Sequence, residues 1–397
     1  MTGIRRWVIL VVGLSAQAAT CVFLYGLPML VPQLRSQLGL SLAAAGAVVG
    51  APAVGLILTL IAWGAVADRR GERLVIASGL GLAAACLVLA SLVRGPTALG
   101  LSLVLAGAGG ASVNAASGRV VLGWFAAHER GLAMGLRQTA QPLGVAIAAV
   151  TLPALAHHVG IGRALLFPAG LCLLVAVVVL LVVADPPRPA RSDRARLRSP
   201  YRAATLWQLH ATSTLLVVPQ FAISGFSMAY LVAVRHWDPV AAGRVLFAAQ
   251  LLGAAGRVGA GIWSDRVGSR LTPIRQLAVA SSLVMLGVAA GDALHSSLVI
   301  AVLVAGAVVT VADNGLAFTA VAEIAGSAWA GRALGAQNTA QNVASALTPP
   351  VLGALIGGHG YPIGFAIGAV FPLLAVGMTP VRSERRSAPA AAAWPTR

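Results

Sequence analysis

The sequence predicts an all-α membrane protein in which twelve transmembrane helices form two pseudo-symmetric six-helix bundles. Composition, the apolar runs and an internal repeat support this fold class. Of the 397 residues, 58% are hydrophobic and only 10% are charged, whereas a soluble domain carries about 25% charged residues. Because so few polar side chains cannot cover a soluble fold, much of the apolar surface must face lipid. The lipid bilayer is therefore an expected partner.

The apolar runs are long enough to span a bilayer. A spanning helix needs about 20 mostly apolar residues, because lipid offers the backbone no other hydrogen-bond partner. The predicted spans are 7–31, 43–66, 74–93, 97–121, 132–154, 163–184, 206–232, 240–263, 276–292, 297–320, 333–356 and 363–380. A Pro- and Arg-rich stretch, 185–203, separates the two sets and predicts a cytoplasmic linker. The predicted domains are a bundle over 1–184, this linker, a bundle over 204–381, and a disordered cytoplasmic tail over 382–397.

The distribution of arginine predicts the orientation. All 28 basic residues are Arg, and the formal net charge is +17. Such a charge is typical of nucleic-acid-binding proteins, but here Arg lies mostly in short gaps between spans, where it sets membrane orientation. If the N-terminus is cytoplasmic, all but five Arg lie on the cytoplasmic side; the exceptions are Arg35, Arg94, Arg163, Arg235 and Arg244. We therefore expect a multi-pass inner-membrane protein with both termini in the cytoplasm and no nucleic-acid partner.

The first span allows two interpretations. Arg5-Arg6, the apolar stretch from Trp7 and the triplet Ala16-Gln17-Ala18 together resemble a secretory signal peptide. The apolar stretch continues through Val31, however, which is long enough to span the bilayer. We expect an uncleaved first helix.

No pattern in the sequence predicts an enzyme, a metal site or a cofactor. Nucleotide-binding loops, nucleophile motifs and metal-ligand clusters are absent. The cysteines, Cys21, Cys86 and Cys172, each lie inside an apolar run, so we expect neither disulfides nor metal ligation.

The two halves of the chain repeat each other. The residues Gly64, Asp68, Arg69, Gly71 and Arg73 recur 197 positions later as Gly261, Asp265, Arg266, Gly268 and Arg270. Further on the shift is 200, so that Asn114 matches Asn314 and Thr139-Ala140-Gln141 matches Thr339-Ala340-Gln341. An even number of spans per half gives both halves the same orientation. Such parallel repeats are typical of transporters that bind substrate between their halves, near mid-bilayer.

Two loops carry the clearest motif. The first motif copy reads G-A-V-A-D-R-R-G-E-R from Gly64 to Arg73, and the second reads G-I-W-S-D-R-V-G-S-R from Gly261 to Arg270. Both resemble the signature cytoplasmic loop of the major facilitator superfamily, G-x-x-x-D-R-x-G-R-[KR], which that family repeats in its second half. The resemblance covers essentially the whole chain. It implies that family's fold, the transport of a small molecule, and a cytoplasmic gate formed by the ten repeated residues.

The motif also has a physical interpretation. Gly64 allows close helix approach, and Gly71 permits a turn that a side chain would obstruct. Asp68 can accept hydrogen bonds from the N-terminal amides of a neighbouring helix, expected to be span 11. The family's pattern implies that this contact holds the cytoplasmic side closed. The alternative, which stays open for Asp265 in particular, is a loop that only sets topology.

Two charged residues lie inside the spans, where an ionisable group costs about 2.5–3.5 kcal/mol. Asp313 is the only acidic residue well inside a span, and Arg257 lies at a similar depth in the same half. They either neutralise each other, or Arg257 binds a substrate anion and Asp313 takes up the coupling proton. The spacing R-x-x-x-G from Arg257 to Gly261 resembles the monocarboxylate and oxalate/formate carriers of the superfamily.

Neutral polar residues form a belt at the same level, and because each costs energy in lipid they should point inward. The candidate substrate contacts are Gln17, Asn114, Gln138, Gln141, Gln220, Asn314, Asn338 and Gln341. For any single member, an interhelical hydrogen bond is the competing interpretation. Arg119 and Arg137, near the cytoplasmic mouth, are expected to have gate or interface roles.

These observations predict a monomeric secondary active carrier for a small organic solute, with a preference for an organic anion and with protons as the coupling ion. The alternative is a drug or metabolite efflux antiporter of the same fold. Two family motifs that bear on this are degraded. Leu103 stands where many proton-driven members carry Arg, and only Gln141-Pro142-Leu143-Gly144-Val145 remains of the antiporter pattern.

Overall fold

The structure, a computed structural model, describes residues 2–185 and 199–387, and within these residues it is helical without strands. The long helices are α1 (Thr2–Leu24), α2 (Leu42–Arg70), α3 (Glu72–Leu92), α4 (Pro96–Trp124), α5 (Arg130–Gln138 and Ala140–Val159), α6 (Leu166–Val182), α7 (Ala204–Ala229), α8 (Pro239–Val267), α9 (Leu271–Ala293), α10 (Val299–Ala312 and Asn314–Ala325), α11 (Ala330–His359) and α12 (Tyr361–Met378). A helix α13 (Val381–Ser387) follows them. Short helical segments lie at Leu27–Leu30, Val31–Leu38, Ala127–Glu129, Ile161–Ala164, Pro200–Arg202 and, as a π-helix, Tyr230–Val234.

Each predicted span corresponds to one long helix. Eleven helical segments of the described chain are long and apolar enough to cross a membrane. The exception is α11, which has 30 residues but contains Gln337, Asn338, Gln341 and Asn342. Large apolar side chains face outward, among them Leu58 and Leu181, which are 73% and 79% exposed. This is the surface expected of helices that contact lipid.

The corresponding helices α2 and α8 begin and end with the same kinds of residue. Ser41 caps α2 by accepting from the amide of Ala44 at 3.2 Å, and Asp238 caps α8 in the same way from Ala241 at 2.9 Å. At the opposite ends of these helices, Gly71 and Gly268 have φ values of 106° and 65°. Side chains rarely adopt such values, which explains the glycines of both motif copies.

Two helices are interrupted within the span. In α5 the regular helix stops at Thr139, and in α10 it stops at Asp313. The backbone of Asp313 keeps helical angles, with φ −73° and ψ −22°, so α10 continues in the same direction. Interrupted spans often mark binding sites in transporters.

The chain divides into two compact units. Unit 1 comprises Met1–Phe125, Arg137–Leu197 and Gly326–Thr339, and unit 2 comprises Ala126–Leu136, Arg198–Ala325 and Ala340–Arg397. Each of the predicted bundles, 1–184 and 204–381, thus contributes one segment to the other's unit. These segments contain the N-terminal parts of α5 and α11. Each unit has its own apolar core, around Phe23, Leu56 and Leu80 in unit 1 and around Tyr230, Met285 and Phe365 in unit 2.

In each half of the sequence, an acidic residue that follows the sixth long helix accepts a hydrogen bond at the start of the third long helix. Asp185 accepts from the amide of Arg73 at 2.8 Å, and Glu384 of α13 accepts from the amide of Arg270 at 2.6 Å. Most of the predicted linker, 186–198, and the end of the predicted tail, 388–397, lie outside the described residues. The start of that tail is helical rather than disordered, because α13 extends to Ser387.

Candidate functional site

The first motif copy holds the start of α11. The Asp68 carboxylate accepts from the amide of Gly331 at 2.8 Å and from that of Arg332 at 3.1 Å. These amides belong to the first turn of α11, where the helix dipole favours a negative charge. The Arg332 side chain adds a hydrogen bond of 2.9 Å to the same carboxylate. The sequence analysis predicts this contact between Asp68 and span 11, and the hydrogen bonds are present in unit 1.

Arg119 completes this cluster from α4. Its guanidinium is 1% exposed and lies 2.8 Å from Asp68 and 2.8 Å from Glu72. Glu72 is fully buried, and sequence reasoning missed it as a functional residue. Its position four residues after Asp68, in the family's motif loop, was the available signal.

The second motif copy holds the start of α5 in the same manner. Asp265 accepts from the amides of Gly131 at 3.0 Å and Leu132 at 2.8 Å. Its arginine partner differs from that of the first copy, because Arg270 of the loop itself lies 2.6 Å away. The interpretation of Asp265 as a topology signal alone does not account for these hydrogen bonds.

Glu323 of α10 adds a second acid to the cluster around Asp265. It lies 3.4 Å from Arg270 and 3.3 Å from Arg130. Position 123, its counterpart in unit 1 at the shift of 200, is a glycine. The two motif copies therefore share their backbone contacts but not their side-chain partners.

Glycines let the backbones meet beside both motif copies. A Cβ added at Gly64 would collide with the carbonyl oxygen of Gly331, and one added at Gly261 would collide with that of Gly131. One turn further along each crossing, Gly335 meets the backbone of Leu60 and Gly135 meets that of Arg257. Small residues at such crossings are typical of helices packed in membranes.

Two glutamine–asparagine pairs repeat between the units. In unit 1, Gln17 of α1 donates to Asn114 of α4 at 2.9 Å. In unit 2, Asn314 of α10 donates to Gln220 of α7 at 3.0 Å. The sequence predicts that all four point inward, and their hydrogen bonds place them inside the helix packing. Each pair is an interhelical contact, which was the competing interpretation for single residues.

Arg137 of α5 joins the pair of unit 1. It is 3% exposed and donates to Ser117 at 2.6 Å and 2.8 Å, to Gln17 at 3.2 Å and to Gln138 at 2.9 Å. This charge is enclosed by neutral hydrogen-bond acceptors. Ser117 was not among the predicted polar residues, because a serine in a helix gives little signal.

Arg257 and Asp313 differ from every charged group described above. They are 4% and 3% exposed and interact electrostatically. Within the described chain, however, neither side chain makes an ion pair or a side-chain hydrogen bond, and Arg257 Nη1 and Asp313 Oδ2 are buried without a hydrogen-bond partner. The interpretation that the two simply neutralise each other predicts a direct pair, which is not formed.

The remaining candidates on α11 and α5 are distributed over both units. Asn338 donates to the carbonyl oxygens of Leu334 at 2.8 Å and Asn114 at 3.4 Å in unit 1. Gln341 donates to Ser213 at 2.6 Å in unit 2. Gln141 is half-buried. Asn338 is thus bonded within α11 and to α4, and Gln341 is bonded to α7.

A buried acid near one end of α9 escaped the sequence analysis. Asp292 is 7% exposed and accepts a hydrogen bond of 2.9 Å from the hydroxyl of Tyr230. Tyr230 begins the π-helical segment of the seventh span. Asp292 is therefore a further buried acid, near the end of a helix. It differs from Asp313 because Asp313 has no side-chain hydrogen bond within the described chain.

The comparison with known proteins identifies the family. The family model described as Major Facilitator Superfamily matches residues 13–349. The chain belongs to the major facilitator superfamily. It is 43% identical over 385 residues to the uncharacterized MFS-type transporter Rv2994 of Mycobacterium tuberculosis, which covers 96% of this chain and 86% of that protein. Members of this superfamily are transporters, so this chain is a multi-pass membrane transporter and not an enzyme.

Solved structures share the fold at low sequence identity. The human organic anion transporter MFSD10 has a TM-score of 0.72 and 16% identity, covering 94% of this chain and 99% of that one. The transporter FucP, in its outward conformation, has a TM-score of 0.74 and 15% identity over 94% of this chain and 98% of its own. The proton:xylose symporter XylE gives 0.74 and 15%, with 95% of both chains covered. These likenesses confirm the predicted fold class.

Proposed function

We propose that this transporter is a secondary active carrier that moves a small organic anion across the cytoplasmic membrane by alternating access, coupled to protons. The observation that carries the proposal is the buried, unpartnered side chain of Arg257. The Arg distribution supports an orientation with both termini in the cytoplasm.

A buried guanidinium needs a partner. It has five N–H donors, and leaving a charge of this size in a low-dielectric interior costs several kcal/mol. Arg257 finds neither an acceptor nor an ion pair within the described chain. A substrate carboxylate can supply both the opposite charge and two parallel hydrogen bonds. Arg257 is therefore the residue that we expect to bind the anion.

Asp313 provides the proton coupling. When it is ionised, its charge competes with an incoming anion for Arg257, since the two side chains interact electrostatically. When it takes up a proton, this competition ends and the anion binds more favourably. Proton and anion therefore promote each other's binding, which is the thermodynamic requirement for symport. Uptake should increase as the external pH falls from neutral.

The two motif copies supply the gate. Asp68 and Asp265 each hold the first amides of a helix that belongs to the other half of the sequence. In the proposed cycle, forming these contacts would close the cytoplasmic side and releasing them would open it. Because the contacts are hydrogen bonds to amides at helix ends, they can be broken and reformed without unfolding either helix.

Reconstituted protein tests the proposal. A thermal-shift screen of small organic acids on purified protein selects a ligand, and its uptake into proteoliposomes is then measured with the outside acidic. Arg257→Ala should abolish binding and uptake, while Asp313→Asn should bind the anion but lose the dependence of uptake on the proton gradient. Arg244→Ala, which removes an exposed arginine of the same helix, is the matched control and should behave as the native protein.

Two outcomes would contradict the proposal. Proton-driven uptake that persists in both Arg257→Ala and Asp313→Asn would remove the assigned site. Accumulation only when the proton gradient is reversed would instead identify an efflux antiporter, which is the alternative function for this fold.

A further inference from the structure

A small cavity in unit 2 is lined in part by the two helices that carry Arg257 and Asp313. It has a volume of about 50 Å³ and is lined by residues of α7, α8 and α10. Five of the residues that line it are polar: Gln220, Ser224, Ser227, Gln250 and Thr310. None of its lining residues is charged. Of these five residues, only Gln220 is among the substrate contacts predicted from the sequence.

On each of the three helices, the polar residues that line the cavity lie on the face that the cavity contacts. Gln220, Ser224 and Ser227 are spaced i, i+4, i+7, and so form a stripe along α7. On α8, Gln250 precedes Arg257 by seven residues, so it lies on the same face about 10 Å further along the helix axis. On α10, Thr310 precedes Asp313 by three residues. The cavity is therefore lined by the helices that carry Arg257 and Asp313, two turns from Arg257 and about one turn from Asp313.

A hydrogen bond links α7, the remaining helix that lines the cavity, to the residue that follows Asp313. Gln220 accepts from Asn314 at 3.0 Å, and Asn314 directly follows Asp313. In this arrangement the Gln220 oxygen is occupied and its amide N–H groups remain available to a ligand. The Gln220–Asn314 pair thus connects the cavity to the proposed proton site.

The cavity offers both donors and acceptors. Thr310 and Ser227 donate to the carbonyl oxygens of Gly306 and Ile223 on their own helices, which leaves their hydroxyl oxygens as acceptors. Within the described chain, Ser224 and Gln250 have no hydrogen bond, so their polar groups are also available. A ligand that is purely apolar would leave these groups unpaired, at a cost in affinity. A second charge on the ligand would find no counter-charge here.

We propose that the substrate is a hydroxylated monocarboxylate, whose carboxylate binds Arg257 and whose hydroxyl groups lie in this cavity among Gln220, Gln250 and Thr310. The inference rests on the proposed function, because it takes Arg257 as the carboxylate site. Hydroxyl groups are the neutral groups that both donate and accept hydrogen bonds, as this lining requires. The spacing of two helical turns between Gln250 and Arg257 suits an acid with a short carbon chain.

Two acids of equal chain length test the substrate class. Gluconate carries hydroxyl groups along a six-carbon chain, hexanoate carries none, and sorbitol has the hydroxyl groups without the carboxylate. Binding of each to the purified full-length protein is measured by isothermal titration calorimetry. Gluconate should bind at least ~10-fold more tightly than hexanoate, a factor that corresponds to about one net hydrogen bond, and sorbitol should bind more weakly than gluconate.

Variants separate the two parts of the site. Gln250→Leu and Thr310→Val should each weaken gluconate binding by about 10-fold and leave hexanoate binding unchanged. Ser224→Ala, the smallest change in the lining, should act in the same direction. Arg257→Ala should remove the binding of both acids. Thermal unfolding confirms that each variant is folded before its affinity is interpreted.

The failures are distinguishable. If hexanoate binds as tightly as gluconate, or if Gln250→Leu and Thr310→Val weaken both acids equally, the hydroxyl subsite is wrong and the carboxylate site stands. If neither acid binds, the inferred substrate class is wrong. If both acids bind without Arg257, the proposed function fails and the inference fails with it.

Discussion

Apart from the arginines around the motif copies, Arg137 of unit 1 and Arg257 of unit 2 are both buried, and their surroundings differ. Arg137 in unit 1 donates to Ser117, Gln17 and Gln138. Arg257 in unit 2 has neither a hydrogen bond nor an ion pair within the described chain, even though an acid, Asp313, is close enough to influence it. A fully enclosed charge stabilises a helix packing, whereas an unpartnered one costs stability and is available to a ligand. This difference favours a structural role for Arg137 and supports the proposed binding role of Arg257.

The aspartates of the two motif copies also differ in burial and in their arginine partners. The Asp68 side chain is 1% exposed and is bound by two arginines, Arg119 and Arg332. The Asp265 side chain is 8% exposed and has one arginine, Arg270, from its own loop. Both carboxylates bind two backbone amides. The first motif copy is therefore the more deeply buried and the more highly connected of the two.

Substituting these aspartates should produce the largest effect. Asp68→Ala leaves Arg119 and Arg332 without their shared acid, and breaking a buried ion pair costs about 3–5 kcal/mol. Asp265→Ala removes hydrogen bonds from a less buried group and should cost about 1–3 kcal/mol. Unfolding of the detergent-solubilised protein measures both, with Asp68→Asn as the control that keeps an acceptor in place. Equal losses for the two alanine variants would show that the units do not differ here.

Replacing each buried arginine by methionine should give effects of opposite sign. Arg137→Met removes the donor of Ser117 and Gln17 and should destabilise the protein by about 1–3 kcal/mol. Arg257→Met removes an unpartnered buried charge and should stabilise the ligand-free protein, by up to about 4 kcal/mol. The double variant Arg257→Met/Asp313→Asn checks that the remaining acid does not mask the gain. Destabilisation by both methionine variants would mean that Arg257 also has a structural role.

The helix crossings should respond alike in both units, with a smaller effect. Gly64→Ala and Gly261→Ala each push a Cβ into the carbonyl of a glycine on the crossing helix, and such overpacking costs about 1–3 kcal/mol. Gly46→Ala in α2 and Gly259→Ala in α8, where a Cβ has open space, are the matched controls. These controls should be neutral or gain up to about 1 kcal/mol. If Gly261→Ala resembles Gly259→Ala, the second crossing is looser than the structure shows.

Much of the fold could be predicted because it depends on local rules. The length of the apolar runs predicted the spans, and the freedom of a glycine backbone predicted a turn at Gly71. The contact of Asp68 with span 11 followed from the affinity of a helix start for negative charge. Span 11 was also predicted from its apolar run despite its polar residues, and the repeat separately matches Thr339-Ala340-Gln341 with Thr139-Ala140-Gln141.

The features of the site that the sequence did not predict depend on distances between helices. The pairing of Arg119 with Asp68 joins residues of α4 and α2, and no periodicity in the sequence encodes it. The same limit applies to Arg257 and Asp313, since their common depth was evident but the absence of a direct pair was not. The cavity residues Gln250 and Thr310 were missed because isolated polar residues in a span gain meaning only from their neighbours.

The carboxylates that close the third helix of each unit extend the duplication beyond the spanning helices. Asp185 and Glu384 stand in segments whose sequences otherwise look unrelated, yet each accepts from the arginine amide that ends its motif copy. The correspondence between the two halves therefore includes an acidic residue downstream of the sixth long helix of each half. For anyone designing an expression vector, the chain should not be trimmed before Glu384, and a purification tag belongs after Ser387.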